Sequence, residues 1–360
     1  MEIKRILFAA VLSCTFGSAV NAQNQFVAFS NSNLVYQGRV SFKTDAATFS
    51  WSGNSVTIQF SGSEIAAVLQ DADTANYYNV IVDEKVVAKI HTDSVKRSYV
   101  LAKNLSQGKH SVQLFKRTEW DKGKTWFYGF ELPANATILA AAPPQKRKIE
   151  FYGNSITCGY AIEDTKTDSG FGYFENNYLT YAALTARHFD AQYSCVSKSG
   201  IGIVVSWFPL IMKEMYDRTD ATDPNSKWDF NKYTPDVVVI NLLQNDSWIV
   251  YKPENDQFKA RFGTKAPEPT FIISEYKSFV ASIRAKYPNA TIICALGSMD
   301  ATREGSVWPS YIQQAVSQLN DSKIYTHFFP YKNTGGHPRV SEQKVMADSL
   351  IQFIEKTVKW

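Results

Sequence analysis

The stretch Lys148-Ile149-Glu150-Phe151-Tyr152-Gly153-Asn154-Ser155-Ile156-Thr157-Cys158-Gly159-Tyr160 decides how the second part of the chain folds. A short strand-like run ends at Gly153, and Ser155 follows at a glycine-tipped turn. The segment therefore predicts a strand, a tight turn and the start of a helix. Downstream, strand-like runs recur at Gln192 to Val196, Val237 to Leu243, Thr291 to Leu296 and Ile324 to Phe328. Helical periodicity lies between and after them, near Tyr178 to Phe189, Trp207 to Tyr216, Ile272 to Tyr287, Tyr311 to Leu319 and Ser341 to Val358. Strands alternating with helices predict an α/β domain with a five-stranded parallel sheet, doubly wound. In such sheets the active crevice lies at the carboxyl ends of the strands.

Upstream the texture differs. From Phe26 to Leu139 short runs alternate apolar and polar residues with period two, at Val35 to Phe42, Ser55 to Phe60, Tyr77 to Val82, Ser98 to Leu101, His110 to Phe115 and Trp126 to Leu132. Gly, Asn, Asp and Ser punctuate them, and no helical pattern intervenes. The reading is an antiparallel β-sandwich, with Trp51-Ser52-Gly53-Asn54 and Val82-Asp83-Glu84-Lys85 as hairpin turns between adjacent strands. Ala141-Ala142-Pro143-Pro144-Gln145-Lys146-Arg147-Lys148 extends neither pattern and marks the boundary. The organisation expected is a leader over 1–22, a sandwich over 23–142 and an α/β domain over 146–360.

The leader rests on Lys4 and Arg5, the apolar run from Ile6 to Leu12, and Val20-Asn21-Ala22 before Gln23, which together have the form of a cleaved signal peptide. It predicts a secreted or periplasmic protein. A competing form, lipidation at Cys14 within Val11-Leu12-Ser13-Cys14, is matched only loosely. No later run is long and apolar enough to span a bilayer. Among 360 residues, 38 Lys and Arg against 34 Asp and Glu give a net charge of +4 with no basic block, which argues against nucleic acid as a partner. Cys158, Cys195 and Cys294 fall in core-like segments and are expected as free buried thiols. Cys158 as a nucleophile is disfavoured, because no sharp turn is centred on it.

Every residue suited to chemistry falls after a strand. Ser155 follows strand one, where a serine presents its hydroxyl to the crevice and its N–H to a developing oxyanion; its bland role would be an N-cap. Strand two leads into Ser197-Lys198-Ser199-Gly200-Ile201-Gly202, where Gly200 permits close approach and offers an N–H. Strand three leads into Leu243-Gln244-Asn245-Asp246-Ser247-Trp248, where the Asn245 carboxamide is a donor. The last strand is followed by Thr334-Gly335-Gly336-His337-Pro338. His337 alone among the five histidines lies on a glycine-bearing loop at a strand's carboxyl side; His91, His110, His188 and His327 read as structural or surface residues.

Ser155, Gly200, Asn245 and His337, in that order, resemble the four blocks of the SGNH hydrolase superfamily over residues 146–360. The Lys148 to Tyr160 stretch, together with Gly108-Lys109-His110-Ser111-Val112-Gln113-Leu114-Phe115-Lys116-Arg117-Thr118-Glu119, is similar to carbohydrate esterase family two, in which a jelly-roll sandwich precedes the SGNH domain. The resemblance implies deacetylation of plant cell-wall saccharides such as xylan and glucomannan, with no metal or organic cofactor. It assigns Ser155 as nucleophile, His337 as general base and acid, and Ser155, Gly200 and Asn245 as oxyanion donors.

Three departures from that family's pattern stand out. Asn154 replaces the usual Asp before the nucleophile, which should preserve the turn. Leu243 replaces the Gly usual two residues before Asn245. Thr334 and Gly335 occupy the positions where a carboxylate would orient the histidine, so a Ser155–His337 dyad is expected, with Nδ1 of His337 held by a backbone carbonyl or a side chain from elsewhere. Aromatic faces for sugar stacking are expected from Trp308 first, then Trp248 and Trp207. Two other function classes compete: an SGNH esterase acting on other acyl esters, and a saccharide-binding protein that has lost catalysis.

Overall fold

Alternating burial along Ser55–Ser61 and Lys109–Lys116 is what a two-layer β structure requires, since successive side chains point to opposite faces. The computed structural model describes residues 24–360, so the expected leader and Cys14 lie outside it. Two six-stranded sheets form the first part. One centres on Ser55–Ser61, Lys109–Lys116 and Tyr77–Val82; the other on Thr125–Leu132 and Ile65–Asp71. Neighbouring strands in both run antiparallel, and Phe49, Phe60, Tyr78, Leu114, Phe127 and Phe130 fill the space between the sheets with no exposure.

The Asp83-Glu84 turn joins Tyr77–Val82 to Lys85–His91 as expected, with positive φ at both residues. Trp51 to Asn54 is not a hairpin. The strands on either side of it, Ala47–Phe49 and Ser55–Ser61, belong to different sheets. Asn54 Oδ1 accepts the Ser50 and Trp51 N–H groups within this loop, and the Trp51 indole donates to Thr219 O at 2.8 Å. A polar turn signal here serves a sheet crossing that docks on the second half.

In that half, β1 (Arg147–Gly153), β2 (Ala191–Ser197), β3 (Val237–Asn241), β4 (Thr291–Leu296) and β5 (Ile324–Phe328) form a parallel sheet in the order β2-β1-β3-β4-β5. Gly153 is in register with Ser197 on β2 and with Asn241 on β3. The chain thus leaves three adjacent strands at one level, and the loops bearing Ser155, Gly200 and Asn245 emerge side by side at the switch in strand order.

The helices are α1 (Ser155–Cys158), α2 (Tyr181–His188), α3 (Gln244–Ile249), α4 (Asp256–Phe262), α5 (Pro269–Lys286), α6 (Trp308–Ser317) and α7 (Val340–Thr357). The helix expected over Trp207 to Tyr216 is absent; one 3₁₀ turn at Met212–Glu214 stands in its place. The chain around it is committed elsewhere. Asp246 takes the N–H groups of Ile203, Val204 and Val205, Gly200 O takes that of Trp207, and Pro209 has none to give. Buried Gln343 of α7 accepts from Tyr181 N–H and donates to Ile156 O, which locks the helix after His337 onto the helix that starts at Ser155.

The two halves meet over buried charge. Arg39 of the sandwich pairs with Glu150 of β1 at 3.0 Å, the two side chains being 1% and 0% exposed. Hydroxyls of Tyr152, Ser194 and Tyr287 complete the shell of Glu150, and Arg39 also donates to Arg218 O.

Candidate active site

Ser155 opens α1 directly after β1. Asn154 caps the turn, its Oδ1 accepting the Ile156 N–H at 3.0 Å, so the residue in the place of an aspartate keeps the cap. Gly153 is required by space: a Cβ there would lie 2.0 Å from Thr157 Oγ1. Ser155 remains 7% exposed, with its hydroxyl 2.9 Å from His337 Nε2.

The expectation of a dyad is corrected in one respect: the side chain from elsewhere that holds Nδ1 of His337 is a carboxylate, which makes the pair a triad. The Asp168 carboxylate reaches His337 from the loop after α1, with Oδ2 2.8 Å from Nδ1 and Oδ1 accepting the His337 backbone N–H at 2.9 Å. His337 and Arg339 hold the Asp168 carboxyl well below its ordinary range, outweighing partial burial. An ionised carboxylate can only accept, so Nδ1 carries the proton and Nε2 is free to accept from Ser155. Gly336 makes this close approach possible: its φ is +68°, and a Cβ there would lie 2.9 Å from Asp168 Cγ. Tyr160 packs against the imidazole with ring centroids 4.5 Å apart.

Asp168 is itself placed by Asp164, whose carboxylate accepts the N–H groups of Lys166, Thr167 and Ser169 and the Thr167 hydroxyl. Those donors hold Asp164 far below the usual carboxylate range. The orienting acid lies 169 residues before the histidine, so a search beside His337 misses it. The available signal was the Asp164-Thr165-Lys166-Thr167-Asp168-Ser169-Gly170 run, a side-chain-capped loop next to the nucleophile turn.

Around Ser155 the donors converge. Among the described residues, neither the Ser155 N–H nor the Gly200 N–H has a protein acceptor. Asn245 is 3% exposed; its Nδ2 donates once, to Ile201 O at 2.8 Å, and its Oδ1 accepts the Trp207 indole N–H at 3.1 Å. Those two contacts fix the amide orientation and leave one N–H of Asn245 unspent. Leu243 adopts φ +80°, the left-handed conformation a glycine would supply, so the backbone leading to Asn245 survives the substitution.

The three tryptophans differ in exposure. Trp308 is 4% exposed and packs into the core beside Tyr311, although its edge borders a cavity of about 410 Å³ with Trp248, Tyr251 and Arg303. Trp248 is half-buried and bonded to Asp300, and Trp207 is 42% exposed. A second cavity, of about 300 Å³, runs from Asp300 and Arg303 to Gly336 beside His337. Another hollow, of about 1120 Å³, lies between the sandwich, the connecting segment and Phe189, and its lining contains none of the residues around Ser155.

Cys158, Cys195 and Cys294 are free and buried, and burial raises the Cys158 thiol, which leaves it unsuited to nucleophilic attack. His110 is tied to Asp83 and Ser106 O, and His188 to Glu355. His91 bonds to Thr74 O and His327 to Ser349.

Residues 36–143 match the Carbohydrate esterase 2 N-terminal family, and residues 151–324 match the GDSL-like Lipase/Acylhydrolase family. The chain is 33% identical over 347 residues to the cellulase/esterase CelE of Acetivibrio thermocellus, covering 92% of this chain and 40% of that protein, so it spans less than half of that relative's length. It is 25% identical over 357 residues to an acetylxylan esterase / glucomannan deacetylase of Cellvibrio japonicus, covering 97% and 95% of the two chains. A family two carbohydrate esterase from Clostridium thermocellum, solved with cellohexaose, superposes with a TM-score of 0.79 at 32% identity, covering 90% of this chain and 98% of that one. Among the described residues no helix is long and apolar enough to cross a membrane.

Proposed function

The chain belongs to carbohydrate esterase family two and is a carboxylic ester hydrolase, and from that premise we propose that it removes O-acetyl groups from plant cell-wall saccharides, xylan and glucomannan first, by an acyl-enzyme route. Ser155 Oγ attacks the acetyl carbonyl while His337 Nε2 takes its proton, and Asp168 stabilises the imidazolium. The oxyanion is met by the Ser155 N–H, the Gly200 N–H and the free N–H of Asn245. As the tetrahedral species collapses, His337 returns the proton to the departing sugar oxygen. Water then repeats the cycle on the acetyl-serine and releases acetate.

The contact chain Ser155–His337–Asp168, at 2.9 and 2.8 Å, carries this reading. It weighs against a saccharide-binding protein that has lost catalysis, a reading that an absent carboxylate and Asn154 would favour, because Asp168 supplies the carboxylate and Asn154 keeps the cap. The saccharide is held along the two cavities that share Asp300 and Arg303, with Trp248 and exposed Trp207 as aromatic faces. A leader over 1–22 directs export to where polymeric substrate lies.

The test is acetate release from acetylated xylan, acetylated glucomannan and 4-nitrophenyl acetate, beside Ser155→Ala and His337→Ala variants with native circular dichroism. Saccharide acetates should be preferred, and both variants should lose roughly 10³-fold or more in kcat. Turnover retained in folded Ser155→Ala would refute the mechanism. A longer-chain acyl ester hydrolysed faster than every saccharide acetate would refute the substrate class.

A further inference from the structure

A glycine amide aimed at a reacting centre needs anchors, because glycine is the residue most free to turn away. The Gly200 N–H, at φ +79°, has one on each side. The carbonyl of Gly200 accepts the Trp207 N–H at 3.0 Å. Its predecessor, Ser199, is held by the other half of the protein: Glu119 Oε2 accepts the Ser199 N–H at 2.7 Å, and Glu119 Oε1 accepts the Ser199 hydroxyl. Glu119 Oε2 also lies 3.6 Å from the thiol of Cys158, the last residue of the helix that Ser155 begins. One fully buried carboxylate of the sandwich thus touches both the helix that Ser155 begins and the loop that carries Gly200.

The segment carrying Glu119 is braced. The Glu119 N–H donates to Glu175 Oε2 at 2.9 Å, buried Lys116 donates to Thr118 O, and Lys198 Nζ sits 4.1 Å above the Trp120 ring. Glu119, Asp121 and Glu175 bring carboxylate oxygens within 4.8 Å of one another, but Lys122 Nζ lies 3.0 Å from Asp121 and 3.2 Å from Glu175. The protein's own cation meets that charge, and the cluster reads as a brace. Burying a carboxylate is costly, and a buried acid adds little net stability. What distinguishes Glu119 is where its hydrogen bonds go.

We infer that Glu119 is a positioning residue for the oxyanion site: its carboxylate fixes the Ser199–Gly200 peptide, so that the Gly200 N–H points at the developing charge before substrate arrives. The sandwich is then a working part of the esterase. This inference rests on Ser155 as nucleophile and Gly200 as oxyanion donor.

Glu119→Ala, Glu119→Gln and Ser199→Ala are compared with wild type on 4-nitrophenyl acetate, with rates expressed per serine titrated by a phosphonate inhibitor. Glu119→Ala is expected to lower kcat per titrated serine roughly 10- to 100-fold with KM nearly unchanged, because the contact it aims is made in the transition state. Affinity for a small boronic acid, which forms a tetrahedral serine adduct, should fall in parallel. Glu119→Gln should recover most of both, since its carbonyl can still accept the Ser199 N–H and its amide can donate to the hydroxyl. Loss confined to the number of titratable serines, or a Gln variant as impaired as the Ala variant, would overturn the inference. If Glu119→Ala does not fold, Ser199→Ala carries the test: reduced kcat per titrated serine supports the role, and an unchanged value overturns it. Ser155→Ala is run alongside; activity surviving there would reject the underlying mechanism instead.

Discussion

Asp168 grips His337 twice, accepting its backbone N–H at 2.9 Å and facing its ring Nδ1 at 2.8 Å. The loop and the imidazole are therefore placed by one carboxylate. Asp168→Asn presents an amide N–H to Nδ1 and favours the tautomer in which Nε2 carries the proton and cannot receive one from Ser155. The corresponding change in a serine protease costs about 10⁴ in kcat. A loss of about 10³ to 10⁴ in kcat is expected here, with the fold intact by circular dichroism; a loss under tenfold would return His337 to dyad status.

Asn245→Ala should lower kcat by about 10² to 10³, the cost of one oxyanion donor. Trp207→Phe keeps an aromatic face but frees Asn245 Oδ1, so it should lower kcat by a smaller factor. Steady-state kinetics on an acetylated oligosaccharide separate the two roles of Trp207. If Phe changes only KM, the indole N–H does not orient the amide.

Removing Arg39 strands Glu150 at 0% exposure. Arg39→Ala should destabilise the protein by about 3 to 5 kcal/mol, whereas Arg39→Met combined with Glu150→Met should cost less, because no charge is left unpaired. Urea titration of the three proteins gives the comparison, and equal stability of Arg39→Ala and wild type would contradict it.

Burial pushes His327 down to about 4, between the rings of Phe329 and Phe353. The unfolded chain takes up this proton near pH 6.5 and the folded chain only near 4, so the contribution of His327 is intact above pH 6.5 and is lost as pH falls to 4. The loss is about 3 kcal/mol at most. His327→Gln, which can still bond Ser349, should flatten the decline of melting temperature between pH 6.5 and 4; an unchanged slope would assign acid lability to other groups.

The parallel sheet was legible because each strand is a short, strand-like run set between turns and helices, and three candidate residues, Ser155, Gly200 and Asn245, follow strands whose ends share a register. The segment over Trp207 to Tyr216 misled because its apolar spacing is helical while the Asp246 side chain and Gly200 O consume nearby N–H groups, a non-local fact. Asp168 escaped for the same reason. Its partner lies in a distant loop, and only the folding of Asp164 to Ser169 brings the two together. Gly305 and Pro309 give the surroundings of Trp308 the look of a loop, yet Trp308 begins α6 and belongs to the core.

The Arg39–Glu150 pair bears on modularity. A catalytic half excised at the connecting segment would expose a surface shaped to receive a guanidinium, with a carboxylate at its centre and no counter-ion. Grafting the esterase onto another scaffold therefore means transplanting both halves as a single cargo, because the seam between them is built like the interior of one domain.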